Sequence, residues 1–259
     1  LPMWTWVAAC LAGLGGVGYA TTVLPTRWLK VERVDWQLGL RRTILQVSDL
    51  HVERNRVSPE RLASICRSER PDYICLTGDY VDSERAIVRL LPYIGALQVS
   101  DVPIYAVLGN HDYKLRGRIG ALISCLKAHG VTVLRNEAVV LDGFNLVGID
   151  DYQTRRSDER AAYRNVQEGL PVIVMTHDPT FVLAARRPFD ALMAGHLHGK
   201  QFQLPFFYYL KPMGPLAKRG IYAGMHRAEA GPYYISKGVG QSGINLRFLV
   251  RSEVTVHRF

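Results

Sequence analysis

The 259 residues carry 48% hydrophobic content, the ordinary globular level of about 45–50%, so the chain can bury one sizeable core and often stays undivided at this length. Thirty-two Lys and Arg against 23 Asp and Glu give a net charge of +9 and a pI near 9.5, which favours an anionic partner: phosphate groups, nucleic acid or an acidic lipid surface. The four cysteines, Cys10, Cys66, Cys75 and Cys125, form no C-x-x-C pair and argue for buried thiols in a reducing compartment, against a disulfide framework or a zinc knot.

In chain order, Met3 to Leu24 contains no charged residue and is long enough to cross a bilayer as a helix. Trp4, Trp6, Tyr19 and Trp28 near its ends suit the interfacial aromatic belts. Ala8, Ala12, Gly16 and Ala20 make a small-residue face of the kind that packs membrane helices. The alternative is a signal peptide cleaved after Gly18-Tyr19-Ala20, but no basic residue precedes the apolar run. Arg27, Lys30 and Arg33 follow it directly, and the positive-inside rule then puts the remainder in the cytoplasm. The expectation is an inner-membrane protein with an anchor over residues 1–26, a juxtamembrane segment over 27–42 and one domain over 43–259.

From Thr43 onward, apolar strands alternate with helical stretches. Ile44–Val47, Tyr73–Leu76, Ile104–Leu108, Val172–Met175 and Ala191–Ala194 read as buried strands. Ser58-Pro59-Glu60 opens a helix, and Ser83 caps another that Pro92 interrupts or kinks. Arg118–Ala128 is helical and closes at His129-Gly130; Ser157–Val166 and Thr180–Arg187 are further predicted helices. Val131–Leu134, Ala138–Leu141 and Phe144–Ile149 lie close enough together to suggest antiparallel pairing. Tyr233–Ser236, Leu246–Val250 and Val254–His257 give a strand-rich tail. The order fits a two-sheet α/β layer structure with helices outside. Two G-x-G-x-x-G matches, at Gly13 and at Gly238, lack the strand–turn–helix context of a dinucleotide site and are set aside.

The chemistry-bearing residues gather at strand ends. Thr77-Gly78-Asp79-Tyr80 delivers a carboxylate beyond a buried strand, at the sheet edge where α/β proteins bind ligands. Asp49-Leu50-His51, Gly109-Asn110-His111-Asp112, Thr176-His177-Asp178 and Gly195-His196-Leu197-His198-Gly199 each follow a short apolar run in the same way. Asp49, His51, Asp79 and His198 would make one oxygen/nitrogen site, and Asp79, Asn110, His177 and His196 a second, with Asp79 as the bridge. A lone His or Asp at a strand end is more often a hydrogen-bonded cap, but here five of the eight histidines fall in such motifs beside acids or Asn. The donor set suits Mn²⁺, Fe²⁺, Mg²⁺ or Zn²⁺ without choosing among them, and two divalent ions, manganese first, are expected. Ions sharing a carboxylate sit about 3.5–4 Å apart, the spacing that clamps the oxygens of a phosphoryl transfer. His129 reads as a helix C-terminal residue, and His226 and His257 as ordinary histidines.

These motifs, in this order over roughly 150 residues, resemble the calcineurin-like metallophosphoesterase superfamily. The resemblance implies a four-layer α-β-β-α sandwich of two mixed sheets and a bridging hydroxide as nucleophile. It also implies that His111 protonates the leaving oxygen or stabilises the transition state, with Asp112 orienting it. Ser83 and Leu108 stand where the Ser/Thr protein phosphatases carry Arg, and Asp82 where a purple acid phosphatase carries a Tyr ligand. The N-terminal helix, Ser48-Asp49-Leu50-His51, Gly148-Ile149-Asp150-Asp151, His177-Asp178-Pro179 and Gly195-to-Gln201 are most similar to a membrane-anchored bacterial branch. That branch includes UDP-2,3-diacylglucosamine pyrophosphohydrolases and phosphodiesterases, and usually has Gly where Lys200 stands. The implied activity is hydrolysis of a phosphodiester or pyrophosphate bond on a lipid-linked substrate at a membrane. A soluble-substrate phosphodiesterase or nuclease is the alternative, and a non-catalytic scaffold the third reading. No specific nucleic acid is expected, since no aromatic-interleaved basic stripe appears outside 202–219. Lys200, Phe206, Phe207 and Lys211 are the candidate substrate contacts, the aromatics forming a membrane-facing lip unless they are a core strand.

Overall fold

A computed structural model gives the fold and describes residues 2–204 and 213–259. Two six-stranded mixed sheets lie face to face. The first has the order β1 (Lys30–Asp35), β12 (Glu253–Arg258), β2 (Thr43–Val47), β3 (Tyr73–Thr77), β4 (Ile104–Val107), β5 (Val131–Val133). The second runs β10 (Gly224–Arg227), β11 (Pro232–Ile235), β9 (Ala191–Ala194), β8 (Val172–Met175), β7 (Phe144–Gly148), β6 (Glu137–Leu141). β2 to β5 are parallel to one another, as are β7, β8, β9 and β11; β12 runs against β2, and β6 against β7.

Period-2 alternation sorts the apolar side chains into three cores. Leu45, Val47, Ile74 and Leu76 point outward from the first sheet onto the helices α3 (Pro59–Glu69) and α4 (Ile87–Gln98). Their alternates Ile44, Tyr73 and Cys75 point inward, against Phe144, Leu146, Ile173 and Met175 of the second sheet. Val147, Val174 and Leu192 cover the second sheet's outer face together with Tyr163, Phe181 and Leu216. The result is the expected four-layer sandwich. One buried polar chain crosses between the sheets. Gln46 donates to Thr77 Oγ1 (3.0 Å) and Ala194 O (2.9 Å), and its Oε1 accepts from His257.

Several expectations are met locally. Ser58 accepts from the Arg61 amide, and Pro59 opens α3. α5 (Ile119–Ala128) ends at His129, whose Nδ1 reaches Cys125 O. Pro92, expected to interrupt or kink its helix, sits inside α4, which runs on uninterrupted to Gln98.

Others are corrected. Ser83 does not cap a helix; its hydroxyl donates to Glu53, and a 3₁₀ turn (Glu84–Ala86) leads into α4. Val131–Val133 does not join an antiparallel group but pairs parallel with β4, so only β6 and β7 form the hairpin. The helix expected over 157–166 is the single turn α6 (Glu159–Ala162), capped by Asp158. That expected over 180–187 is a 3₁₀ turn (Pro179–Leu183), because the Arg186 and Arg187 amides donate to Glu159 instead of to helix carbonyls. Residues 246–250 are no strand beyond one bridge, Phe202 to Phe248; they wrap the end of the N-terminal helix.

α1 (Met3–Thr22) buries none of its residues, and with the short α2 (Leu24–Arg27) makes one helix long and apolar enough to cross a membrane. Lys30–Asp35, within the segment expected to be juxtamembrane, forms β1 and pairs with β12.

Candidate metal centre

Parallel strands align their carboxyl ends, and the ends of β2, β3 and β4 face those of β8 and β9 across the sandwich. Asp49 and His51 follow β2, Asp79 follows β3, and Asn110 and His111 follow β4. His177 follows β8, and His196 and His198 follow β9. Five of these sit at positive φ: Asp49 (53°), His51 (39°), Asp79 (58°), His196 (73°) and His198 (49°). Non-glycine residues in this region cost on the order of 1 kcal/mol or more each and persist where function over-determines them. Gly109 has to be glycine, because a Cβ there would lie 2.2 Å from Asp79 Oδ1.

Two ligand-like groups form around Asp79, and a third, of His51, Asp82 and His111, adjoins them. In one, Asp49, His51 and His198 are buried and their donor atoms lie within 4.8 Å of one another; Asp49 Oδ1 is 3.4 Å from His198 Nε2. In the other, Asp79, His177 and His196 meet the same limit. His177 Nδ1 donates to Thr77 O (2.8 Å), which fixes the ring orientation and turns Nε2 toward the site. That nitrogen faces Asn110 Oδ1 (3.1 Å), His196 Nδ1 (3.1 Å) and Asp79 Oδ2 (3.2 Å). The same Asp79 oxygen stands 3.5 Å from His51 Nε2. The seven expected ligands are thus brought together.

The donor set fits cations. Both ring nitrogens of His51 and Nδ1 of His198 are buried without a hydrogen-bond partner, an arrangement that costs about 1–3 kcal/mol per group unless something fills it. Electron pairs converging from carboxylates, an amide oxygen and imidazoles repel unless positive charge lies between them. Burial lowers His177, but the Asp79 carboxylate outweighs it and holds the imidazole well above the ordinary histidine range. Burial likewise pushes Asp79 up, yet His177 and His51 hold it well below the carboxylate range. Asp49 is lowered the same way, against burial, by His198 and His177. Burial dominates at His198, taking it to about 3, and it lowers His51 too. Oxygen and imidazole donors suit Mn²⁺, Fe²⁺, Mg²⁺ or Zn²⁺.

His111 lies at the rim. Its amide donates to Asp79 Oδ1 (2.8 Å), the Lys114 ammonium lies 2.7 Å from its Nδ1 and 3.0 Å from its Nε2, and Nε2 is 3.4 Å from Ser242 Oγ. The carboxylate on its Nδ1 is Asp82, not Asp112. This corrects the expected orienting role. Asp112 is fully buried and its oxygens accept from the amides of Gly109, Asp79 and Tyr80, so it ties the β3 and β4 loops together. Burial and the nearby Asp79 charge push the Asp112 carboxyl up to about 7, against those amides. Burial pushes Asp82 up as well, but the hydrogen bond to His111 and the charge of His51 outweigh it and hold it below the carboxylate range. Sequence reasoning noted Asp82 only as an absent tyrosine; its signal was a second carboxylate three residues after Asp79.

A cavity of about 710 Å³ opens beside the centre, with Asn110, His111 and His196 on the metal side and Tyr152, Arg155 and Ser242 among its other walls. None of those last three was singled out in the sequence. Lys200 is half-buried, its ammonium 4.2 Å from the centroid of the Tyr222 ring. Phe206, Phe207 and Lys211 lie outside the described residues.

Known proteins are similar to this chain. The chain is 40% identical over 223 residues to the metallophosphoesterase YkoQ of Bacillus subtilis, covering 83% of this chain and 82% of that one. It is 26% identical to the UDP-2,3-diacylglucosamine pyrophosphatase LpxG of Chlamydia muridarum, covering 89% of each. A dimetal phosphatase structure from Danio rerio superposes with a TM-score of 0.50 at 13% identity, over 78% of this chain and 89% of that one, which is a likeness of fold. The model of the calcineurin-like phosphoesterases matches residues 42–200. That stretch takes in every strand end from Asp49 to His198, and the chain is a phosphohydrolase belonging to the calcineurin-like phosphoesterase family.

Proposed function

We propose that this chain hydrolyses phosphodiester or pyrophosphate bonds with two divalent ions, on a substrate that is membrane-associated or lipid-linked. Asp49, His51 and His198 would hold one ion, Asn110, His177 and His196 the other, and Asp79 both. Manganese is the first candidate, with iron, zinc and magnesium behind it. The observation that carries this reading is the Asp79 oxygen, 3.2 Å from His177 Nε2 and 3.5 Å from His51 Nε2. Bound there, such ions supply charge for the phosphoryl oxygens and a water nucleophile at neutral pH.

The chain's own residues do the rest. Asp82 engages His111 Nδ1, and the Lys114 ammonium lies 2.7 Å from Nδ1 and 3.0 Å from Nε2, beside Ser242. Together His111 and Lys114 can supply charge or a proton to a departing oxygen. Asp112 keeps the two loops carrying Asp79 and His111 in register. The similarity to LpxG makes UDP-2,3-diacylglucosamine the first lipid-linked substrate to try. α1, apolar and unburied, supports a membrane anchor, and Arg27, Lys30 and Arg33 after it support a cytoplasmic catalytic domain.

The test is a metal-supplemented hydrolysis screen over a model diester, a monoester, UDP-2,3-diacylglucosamine and single-stranded DNA, run with wild type and His111→Ala. Wild type should cleave the diester or the pyrophosphate only with added metal. His111→Ala should keep its metal and lose on the order of 10²–10⁴ in rate. Loss of metal by that variant would make His111 a ligand, and a preference for the monoester or DNA would overturn the substrate class.

A further inference from the structure

We propose that a lip made of Trp28, Ile244 and Leu249 rests on the bilayer beside α1 and holds the mouth of the active-site cavity at the membrane surface. The inference rests on reading α1 as a membrane anchor.

The first observation is how α1 leaves the membrane. Twenty helical residues span about 30 Å, the thickness of the hydrocarbon layer, so Thr22 comes out at its edge. No loose tether follows. The Leu249 amide donates to Thr21 O (3.1 Å), Arg247 to Thr22 O (3.0 Å) and Ser252 to Pro25 O (2.9 Å), while Pro25 and Thr26 are buried. Loop 246–252 is therefore stitched to the helix exit, at the depth where hydrocarbon gives way to headgroups.

The second observation is what that loop and its neighbours present. Leu249 is 58% exposed and Ile244 60%, and Trp28 on the exit turn is 57% exposed. Leu249 also holds a φ of 59°, in the left-handed region that a leucine rarely occupies. The Arg251 guanidinium lies 4.0 Å over the Trp28 ring, with Arg27 exposed next to it. An amphipathic ring with arginine at its edge is the pairing that membrane interfaces favour, the cations meeting anionic headgroups. Continuity with α1 names the bilayer as what covers this patch, ahead of a second copy of the chain.

The third observation joins the lip to the chemistry. Gln201, three residues after His198, donates to Ser242 O (3.1 Å) and Ile244 O (2.8 Å) and accepts from the Ser242 amide (3.0 Å). Ser242 lines the cavity beside His111. A single residue, Gly243, thus separates the cavity wall from an exposed isoleucine, and a phosphate carried on a lipid would enter the cavity where the loop meets the bilayer.

The experiment places an environment-sensitive NBD label at Ile244→Cys in the full chain carrying Cys10→Ala and Cys125→Ala. The protein is reconstituted in phosphatidylcholine–phosphatidylglycerol vesicles, with Ala12→Cys labelled in parallel and folding checked by soluble-diester turnover. Lipids brominated near the top of the acyl chain should quench the 244 label by about twofold or more, the depth of an interfacial residue. A quenched 12 label with an unquenched 244 label overturns the lip and leaves the anchor standing. If neither label is quenched, the anchor reading fails and the lip with it. Shielding of the 244 label that grows only with protein density assigns the patch to a second copy and overturns the proposal as well.

Discussion

His51 and His198, at the strand ends, and His257, between the sheets, are equally buried yet sit in opposite circumstances. His257 has a partner for each nitrogen: Nδ1 accepts from the Trp36 indole (3.0 Å), which can only donate, so Nε2 donates to Gln46 Oε1 (2.9 Å). His51 has no hydrogen-bond partner on either nitrogen, and His198 none on Nδ1. A protein interior tolerates a neutral histidine when its hydrogen bonds close. Leaving several open in one place, with carboxylates alongside, is tolerable only if something else arrives. Burial alone therefore does not separate structural from functional histidines; the completeness of the polar contacts does.

The largest expected effect falls on the open side of that contrast. Asp79→Asn removes the one charged oxygen that faces a nitrogen from both groups. Turnover should drop more than about 100-fold, and bound metal per chain, measured by elemental analysis, should fall with it. Normal metal content with normal turnover would remove the basis for the proposed centre. An intermediate effect is expected at the rim. Asp82→Asn should lower the rate by roughly 10–100-fold with metal retained. If Asp112→Asn lowers the rate with metal retained and Asp82→Asn does not, the orienting carboxylate is Asp112 after all.

The smallest effect belongs to the closed side. Burial takes His257 from the usual 6.5 to about 3. Between those values the unfolded chain binds a proton that the folded one does not, so stability rises with pH up to 6.5 and is lost as pH falls. The steepest contribution is about 1.4 kcal/mol per pH unit. In metal-free protein, His257→Phe should lower overall stability and flatten the urea-unfolding free energy between about pH 4 and 6 by up to one proton's worth. An unchanged slope would mean that His257 already carries its proton when folded.

Much of this was legible beforehand, for reasons that differ by element. The buried parallel strands announced themselves as short β-branched and aromatic runs, and their carboxyl ends fixed where Asp49, Asp79, Asn110, His177 and His196 would fall. Where local pattern and tertiary contact competed, contact won. Residues 180–187 look helical, yet Glu159 takes the Arg186 and Arg187 amides. Val131–Val133 is near the hairpin in sequence but crosses to the other sheet. The dismissed Gly238-Val239-Gly240 match holds no nucleotide motif, and its glycine spacing has another cause: a Cβ at Gly240 would lie 2.2 Å from Leu50 O, between the candidate ligands Asp49 and His51 in sequence. Arg247, buried without an ion pair among the described residues, clamps the same loop through the carbonyls of Lys237, Gly238 and Gly240. No local signal marks such a residue, because its role depends on backbone brought from elsewhere.

The pairing of β1 with β12 bears on how the protein is made. β1 follows α1 closely in the chain, but among the described residues its only neighbour in the sheet is β12, the last described strand in chain order, which also separates it from β2. At about 5–20 residues per second, the interval between the two strands is on the order of 10–40 s. For that time β1 waits with both edges open, while the sheet it will complete assembles without it. Its charged composition, Lys30, Glu32, Arg33 and Asp35 among six residues, is what keeps such a waiting strand from recruiting the wrong partner.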